Sequence, residues 1–360
     1  MLAAGAADID IVVMPGDDIG PEIVEAAMQV VRVAERKLAL GLSFETVDVG
    51  MPSFRKVGST LTDAAVAKAV AADGVILGPC GMTLYPPRDQ GGINVPGTIR
   101  KRLDLYANLR PARSRASVPD ARRGMDMLIV RENTEGFYSD RNMFMGIGEF
   151  MPTPDLAISV RKITRQASRR ISRVAFEWAM RRRRKVTAVG KQHVLQMSDG
   201  LFMQEAYAAA KANPAVEFHE FDVDAMAAEL YSRPERHDVV LLTNMFGDIL
   251  SNAAVAISGG LGLAAALNAG DDHAVANAGH GSAPDIAGKG IANPTGMILS
   301  TAMLFEWLGV KHSKPALVEA ADAITAAVDV ALADDAARTG DLGGRGNTRL
   351  FAERVVAALA

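Results

Sequence analysis

The sequence predicts an α/β fold, in which strands and helices alternate along the chain. Short β-branched runs at residues 10–14 and 74–77 each end in a turn that contains Gly and Pro. The segment that Pro21 opens has apolar residues at helical spacing as far as about Leu40, and similar segments recur between the later runs. This alternation is typical of helices layered on a mostly parallel sheet. Because the chain has 360 residues, we expect two domains.

The same patterns place the later elements in chain order. Further strands are predicted at residues 43–49, 107–110, 127–131, 157–163, 186–189, 216–221 and 239–243. Helices are predicted at residues 62–71, 164–182, 198–213, 224–231, 246–257, 293–309, 315–333 and 350–360. The stretch at 78–97 is rich in Gly and Pro and too long for a simple connection, so we expect it to bind a ligand.

Bulk composition argues against several classes of protein. A formal net charge of −3 favours neither nucleic acid nor a membrane surface as a partner. The single cysteine, Cys80, excludes an intramolecular disulfide and a cysteine-rich zinc site. The first ten residues have neither a basic nor an apolar region of the kind that signal peptides contain, and no apolar stretch is long enough to span a bilayer. We therefore expect a cytoplasmic protein.

Common signals for nucleotide and nucleic-acid binding are weak. The G-x-G-x-x-A pattern at residues 260–265 follows a predicted helix rather than a strand, so we interpret it as a turn. Arg165, Arg169 and Arg173 lie four residues apart on one predicted helix, with no aromatic residue between them. We interpret them as a solvent-facing helix surface, and RNA binding is the weakest of the alternatives considered.

Oxygen-bearing side chains suggest a site for a hard divalent cation. Asp248 and Asn252 lie four residues apart on a predicted helix, so their oxygens face the same side. Asp222 and Asp224 form a second acidic pair at a predicted helix start. Because an aspartate at a helix start is more often a cap, the metal site is only a hypothesis at this point.

Three arginines flank the ends of predicted strands or loops. A guanidinium at Arg100, Arg110 or Arg131 can grip a carboxylate with two hydrogen bonds. Taken singly, each is more often a surface ion pair.

Five longer segments resemble the isocitrate and isopropylmalate dehydrogenase family, and they occur in family order. The segments are 16–22 (GDDIGPE), 106–111 (YANLRP), 130–138 (VRENTEGFY), 244–251 (NMFGDILS) and 280–294 (HGSAPDIAGKGIANP). The resemblance implies two α/β domains that share a mixed sheet. It places a cofactor domain at residues 1–104 plus 262–360 and a substrate, metal and dimerisation domain at 105–261. It also implies a homodimer whose active site takes residues from both subunits.

The resemblance assigns roles to the residues that match the family's motifs. Arg100, Arg110 and Arg131 bind the substrate carboxylates. Lys191 takes the proton of the 2-hydroxyl as hydride leaves C2 for the nicotinamide, and Tyr138 protonates C3 after carbon dioxide is lost. The implied reaction is oxidative decarboxylation of a 2-hydroxy-3-carboxy acid.

Cofactor and metal ligands follow from the same resemblance. Mg²⁺ or Mn²⁺ is expected on Asp248, Asn252 and Asp224, with Asp224 supplied by the partner subunit. The residues expected to bind the cofactor are His280, Gly281, Ser282, Ala283, Asp285 and Asn293. Because the carboxylate of Asp285 can accept a hydrogen bond from a ribose 2′-hydroxyl and repels a 2′-phosphate, NAD is predicted rather than NADP.

The sequence departs from the family at several positions. Asn252 replaces an aspartate that binds metal, and His193 replaces the asparagine that meets substrate and nicotinamide. Asn277 stands where an acidic residue is usual, and Asp18 stands where glycine is usual. These changes motivate one alternative, a regulatory subunit that binds ligand without catalysis. Retention of Tyr138 and the catalytic lysine favours the enzyme.

The substrate's C3 substituent depends on the residues before Arg100. Isopropylmalate enzymes place two leucines there, where this chain has Pro96 and Gly97, and Asn94 matches the serine of isocitrate enzymes. The leucine pocket is therefore absent, although Gly97 also leaves room for a larger group. Acids of the isocitrate, 3-isopropylmalate, D-malate and tartrate types all remain candidates.

Overall fold

A computed structural model describes residues 9–119, 121–122, 124–138 and 143–360. Its strands are β1 (Ile9–Met14), β2 (Leu42–Thr46), β3 (Gly74–Leu77), β4 (Ala107–Arg113), β5 (Asp126–Glu132), β6 (Glu149–Thr153), β7 (Leu156–Ser159), β8 (Lys185–Gly190), β9 (Glu217–Asp222), β10 (Val239–Leu242), β11 (Leu267–Ala269) and β12 (Ala274–Asn277). Its α-helices are α1 (Gly20–Leu38), α2 (Met51–Val57), α3 (Asp63–Ala71), α4 (Val95–Arg102), α5 (Arg165–Arg181), α6 (Ser198–Ala212), α7 (Val223–Ser232), α8 (Asn244–Ile257), α9 (Thr295–Lys311), α10 (Pro315–Ala333) and α11 (Thr348–Leu359). The predicted α/β fold is confirmed.

The strands outside the β6–β7 pair form a single mixed sheet. Their order is β2-β1-β3-β12-β11-β4-β5-β10-β8-β9. β11 runs antiparallel to both β12 and β4, and β4 runs antiparallel to β5. β5, β10, β8 and β9 are parallel to one another, so their carboxyl ends meet at one edge of the sheet. That edge positions the candidate active site.

Both faces of the sheet are covered by packed side chains. Ile11 and Val13 of β1 lie in one buried apolar cluster, and the alternate residues Val12 and Met14 lie in another. Such burial on both faces explains why this strand is a continuous apolar run. Helices α1 and α11 bring the two ends of the chain together, where the Lys37 ammonium donates to the Leu359 carbonyl at 2.7 Å. The domain boundaries given above stay a prediction.

The predicted strand at 157–163 is wrong in its bounds. β7 ends at Ser159 and pairs with β6 as a separate two-stranded ribbon, in which every residue is exposed. Because a ribbon exposed on both faces carries no alternation of apolar and polar residues, the sequence pattern gives little guidance there. The short strands β11 and β12 and the helices α2 and α4 are also absent from the sequence prediction, and the loop predicted at 78–97 becomes helical from Val95.

Two interpretations of weak signals are confirmed. Residues 260–265 form a turn, in which Gly260 has a φ of +146°. Arg165, Arg169 and Arg173 on α5 are at least half exposed and paired within the chain, the first two with Glu205 and the third with Asp271. Among the described helices, none combines the length and the apolar character needed to cross a bilayer.

Candidate active site

Two buried arginines converge on one carboxylate at the carboxyl edge of the sheet. Arg110 from β4 and Arg131 from β5 both reach Asp248, which α8 presents. The Arg131 Nη1 lies 2.5 Å from the Asp248 Oδ1, and the Arg110 Nη1 lies 3.1 Å from the same oxygen. The Tyr138 hydroxyl donates to the other oxygen, Oδ2, at 2.6 Å. Four of the residues predicted from sequence therefore form one contiguous cluster.

Neutral oxygens hold the two guanidinium groups in place. Arg131 is 1% exposed, and its Nε and Nη2 donate to the Asn244 Oδ1 at 3.1 and 2.6 Å. Arg110 donates to the Asn108 Oδ1 at 2.6 Å and to the Ser251 Oγ at 2.8 Å. These contacts leave the cluster with two cations for a single carboxylate, so it favours an anionic ligand.

The glycine of the α8 motif is required by close packing. A β-carbon on Gly247 would lie 2.6 Å from the Arg131 Cγ, so any side chain there would displace the guanidinium. The segment NMFGD therefore supplies three features of the Arg131 site. Asn244 provides the oxygen that accepts from the guanidinium, Gly247 leaves space for the side chain, and Asp248 provides the paired carboxylate.

The net effect of burial and neighbouring charges is to lower the pKa values of both Arg110 and Asp248. Burial, with the neighbouring Arg131 cation, lowers the pKa of Arg110 to about 10. Burial opposes ionisation of Asp248, but Arg131, the Tyr138 hydroxyl and Arg110 outweigh it and hold the pKa of Asp248 below its usual value. The Asp248 carboxylate therefore stays ionised at neutral pH.

Arg100 lies on α4, and Asn94 immediately precedes this helix. The charge of Arg100 also lowers the pKa of Asp248, which places the third predicted arginine near the other two. Asn94 caps α4, because its Oδ1 accepts from the Gly97 N–H at 2.8 Å. A β-carbon on Gly97 would lie 2.8 Å from the Asn94 carboxamide, so a larger residue there would displace the side chain that caps α4.

Lys191 and Asp224 form a second group at the same edge of the sheet. The Lys191 Nζ lies 3.3 Å from the Asp222 Oδ2 and donates a short hydrogen bond to Asp224. The hydrogen bond that Lys191 donates to Asp224 is the largest of the causes that raise the pKa of Lys191. His193, also in this group, lies 3.2 Å from an Asp222 oxygen through its Nδ1.

The two groups are not joined within the described part of the chain. No hydrogen bond or ion pair there links Lys191 or Asp224 to Asp248, Arg110 or Arg131. Asn252 lies on α8 near the arginines, with its Oδ1 3.5 Å from the Arg110 Nη1. Among the described residues, no cluster of three His, Cys, Asp or Glu is placed to hold a metal ion. Of the predicted metal ligands, Asp248 and Asn252 lie one turn apart on α8, whereas Asp224 is paired with Lys191.

The residues predicted to bind cofactor lie in the loop after β12 and at the start of α9. Burial lowers the pKa of His280, whose Nδ1 lies 3.0 Å from the Gly281 carbonyl. Its Nε2 is buried and has no hydrogen-bond partner among the described residues. Ser282 is nearly buried, whereas Gly281 and Asp285 are exposed, and Ala283 has a φ of +44°. A buried ring nitrogen without a partner suits a ligand that supplies one.

Asn293 and Asn277 serve the protein's own backbone and side chains. Asn293 donates to the Asp341 Oδ2 at 2.9 Å and accepts from the Thr295 N–H at 3.0 Å. Asn277 donates to the Leu77 carbonyl at 2.8 Å and so ties β12 to β3.

Sequence reasoning missed the residues that orient the arginines. No role was predicted for Asn108, Asn244 or Ser251, although each lies inside a motif that resembles the family. Their position within those motifs was the signal that could have identified them.

The model of one protein family, isocitrate/isopropylmalate dehydrogenase, matches residues 10–355. The chain belongs to this family. It is 42% identical over 356 residues to an isocitrate/homoisocitrate dehydrogenase of Thermus thermophilus, covering 97% of this chain and 98% of the relative. It is 38% identical to a 3-isopropylmalate dehydrogenase of Methanothermobacter thermautotrophicus, covering 96% and 97%. The crystal structure of isocitrate dehydrogenase from Methylococcus capsulatus superposes with a TM-score of 0.86 at 39% identity, covering 98% of this chain and 99% of that one.

Membership in the isocitrate/isopropylmalate dehydrogenase family confirms the predicted family and its fold. Because the relatives over nearly the whole chain are dehydrogenases of hydroxy acids, the chain is an oxidoreductase. The relatives carry different substrate names, so family membership by itself does not select a substrate.

Proposed function

We propose that this chain catalyses the NAD-dependent oxidative decarboxylation of a 2-hydroxy-3-carboxy acid. The observation that carries the proposal is the cluster in which Arg110 and Arg131 converge on Asp248 beside the Tyr138 hydroxyl. Two buried cations oriented by neutral oxygens form a site for a substrate with at least two carboxylates, and Arg100 adds a third cation.

A polar substituent at C3 is favoured over an alkyl group. The chain has Pro96 and Gly97 where isopropylmalate enzymes have leucines, and the polar side chain of Asn94 stands at the start of α4. Relatives named for isocitrate and homoisocitrate support the same choice. We therefore place isocitrate-type acids ahead of 3-isopropylmalate, D-malate and tartrate.

The protein's own groups fit NAD and a divalent metal. The buried Nε2 of His280 lacks a partner in the loop proposed to bind NAD, and the oxygens of Asp248 and Asn252 lie one helical turn apart. When bound, the nicotinamide would accept the hydride from C2, and Mg²⁺ or Mn²⁺ would stabilise negative charge on the substrate oxygens.

In this mechanism the side chains bind the substrate and move protons. Arg110 and Arg131 hold the carboxylates, and Lys191 of a second subunit removes the proton of the 2-hydroxyl. After the C3–carboxyl bond breaks and carbon dioxide leaves, Tyr138 donates its hydroxyl proton to C3. The Arg131 guanidinium, 5.4 Å from the centre of the Tyr138 ring, favours the phenolate that this transfer leaves.

A homodimer with shared active sites follows from the separation of the two groups. Among the described residues, no hydrogen bond or ion pair joins Lys191 or Asp224 to Asp248, so we propose that each site takes them from the partner subunit. The β6–β7 ribbon offers an apolar surface for a second copy, since Phe150 and Ile158 pair across it and both are exposed. No nucleic acid or membrane partner is proposed, and we place the protein in the cytoplasm because its single cysteine suits a reducing compartment.

Co-expression of two inactive variants tests the shared site. Asp248→Asn and Lys191→Met each disable both sites of their own homodimer. A mixed dimer would carry both changes in one site and neither in the other, so an equal mixture should regain about one quarter of the unmodified activity. No recovery from mixed dimers that have been isolated would show that each site is built from a single chain.

NADH production with Mn²⁺ is the direct test of the reaction. The substrates to compare are isocitrate, homoisocitrate, 3-isopropylmalate, D-malate and tartrate. A clear preference for a tricarboxylate would support the full proposal, and a preference for 3-isopropylmalate would refute the polar C3 substituent.

A regulatory subunit is the second candidate. Asn252 in place of a carboxylate and the exposed His193 favour it. If the protein still bound NAD but produced no NADH with any of these substrates, this alternative would be supported.

A further inference from the structure

Asp18 lies in the loop between β1 and α1, in a backbone conformation that L-residues rarely adopt. Its φ is +51°, whereas glycine reaches this region without strain. A side chain is therefore retained at a position where glycine would be easier to accommodate.

The carboxylate of Asp18 has no role in holding its own loop. Its Oδ2 is buried and accepts no hydrogen bond within the described part of the chain. The neighbouring Asp17, by contrast, accepts from the Met51 N–H at 2.7 Å, the Gly81 N–H at 2.9 Å and the Tyr85 hydroxyl at 2.6 Å. Because Asp17 already ties the loop together, the Asp18 oxygen is left for another donor.

The Asp18 oxygen shares a small space with Ser282 and Gly81. A β-carbon on Gly81 would lie 2.9 Å from the Asp18 Oδ2 and 3.2 Å from the Ser282 Oγ. The backbone fixes this approach, because the Ile19 N–H donates to the Ser282 carbonyl at 3.1 Å. The Asp18 carboxylate oxygen and the Ser282 hydroxyl therefore flank Gly81, which has no side chain.

This space lies between the two ends of the proposed cofactor path. Ser282 belongs to the loop that runs on to Asp285, which we assign to the adenosine ribose. Gly81 belongs to the segment that leads to Asn94 and the substrate arginines. A ligand group that contacts both Ser282 and Gly81 would belong to the half of the dinucleotide that carries nicotinamide.

We propose that Asp18 accepts a hydrogen bond from a hydroxyl of the nicotinamide ribose, with the Ser282 hydroxyl as the second contact. An ionised carboxylate only accepts hydrogen bonds and repels phosphate, so among the polar groups of a dinucleotide a ribose hydroxyl suits it. The inference rests on the proposed use of NAD, and it makes Asp18 a binding determinant in the loop between β1 and α1.

Isothermal titration of the full-length protein tests the contact with three ligands. NAD and ADP-ribose contain the second ribose, whereas ADP lacks it. Asp18→Asn and Asp18→Gly should each weaken NAD and ADP-ribose roughly tenfold, as expected for loss of a hydrogen bond to a charged group, and leave ADP unchanged. Both replacements tolerate a positive φ, so thermal unfolding should show no loss of the fold.

Asp104→Asn is the matched control. Asp104 also has a positive φ, of +47°, and it is exposed and paired with Arg170 away from this loop. Its replacement should leave all three affinities unchanged.

Specific outcomes would overturn the inference. If the Asp18 variants bound NAD as tightly as the unmodified protein, or more tightly, the carboxylate would not be a ligand. Equal weakening of ADP would place the contact on the other half of the cofactor. Failure of the unmodified protein to bind NAD would refute the proposed function as well, so the two failures are distinguishable.

Discussion

Replacing Asp248 with asparagine removes the carboxylate that two buried arginines share. Asparagine keeps the size and an acceptor oxygen, so the substitution changes mainly the charge. Arg131 is 1% exposed and Arg110 is 7% exposed, and both would lose their counter-ion. Removing one partner of a fully buried ion pair typically costs about 3–5 kcal/mol.

Solvent exposure lowers the expected magnitude. The Asp248 side chain is 33% exposed, so water screens part of the charge that remains. Asn244 and Ser251 continue to accept from the two guanidinium groups. We therefore expect the free energy of unfolding to fall by about 2 kcal/mol. The loss of kcat/KM should be at least roughly 100-fold, because the same carboxylate is a proposed metal ligand and the partner of Tyr138.

Asp329→Asn provides a matched control for stability. The Asp329 side chain is 32% exposed and pairs with the Arg115 Nε at 2.5 Å and the Arg113 Nη2 at 3.2 Å. It lies on α10, outside the candidate active site. Because the Arg113 side chain is 47% exposed, guanidinium chloride unfolding should show a smaller loss of stability for Asp329→Asn, and only Asp248→Asn should lose NADH production. Unchanged kcat/KM in Asp248→Asn would refute the assignment of this carboxylate to the active site.

Three further substitutions test separate parts of the proposal. Tyr138→Phe should slow decarboxylation or enol protonation while hydride transfer to NAD persists. The measurement compares the burst of NADH with the release of carbon dioxide. Equal loss of both steps would contradict the role of Tyr138. Asp285→Lys should shift the ratio of kcat/KM values for NAD and NADP toward NADP, since a cation there attracts a 2′-phosphate, and an unchanged ratio would place Asp285 away from the ribose. Glu135→Gln tests a pH dependence, because burial raises the pKa of Glu135 to about 7. The folded protein then holds a proton that the unfolded chain releases above pH about 4.3, so stability should decline as pH rises from there to about 7. Unfolding curves of Glu135→Gln should lack this decline, and an unaltered pH profile would show that the shift is absent.

The sequence allowed much of the candidate site to be predicted because its residues lie in long motifs. Arg131 and Tyr138 belong to one such segment and Asp248 to another, and the structure brings the three together. The residues that hold the arginines could not be assigned roles in advance. Whether an asparagine such as Asn108 faces a guanidinium or solvent depends on the register of β4 and β5, which periodicity does not give.

Parts of the fold were also beyond sequence reasoning, for a different reason. β11 and β12 are three and four residues long and rich in alanine, so neither length nor β-branched content marks them as strands. They nevertheless join the N-terminal part of the sheet to β4 through pairs with β3 and β4. The exposed β6–β7 ribbon lacked the burial that makes a strand recognisable.

Parallel strands explain why the proposed base and metal ligand occur together. β8 and β9 pair in parallel register, so the residues that follow them, Lys191 and Asp224, meet at one edge of the sheet. Asp248 lies at the same edge, on α8, which follows β10. Its carboxylate forms ion pairs with Arg110 and Arg131. Among its described residues, one chain therefore builds two groups that no hydrogen bond or ion pair joins. A second copy is the simplest way to complete both, since symmetric pairing would join the lysine group of each chain to the arginine group of the other.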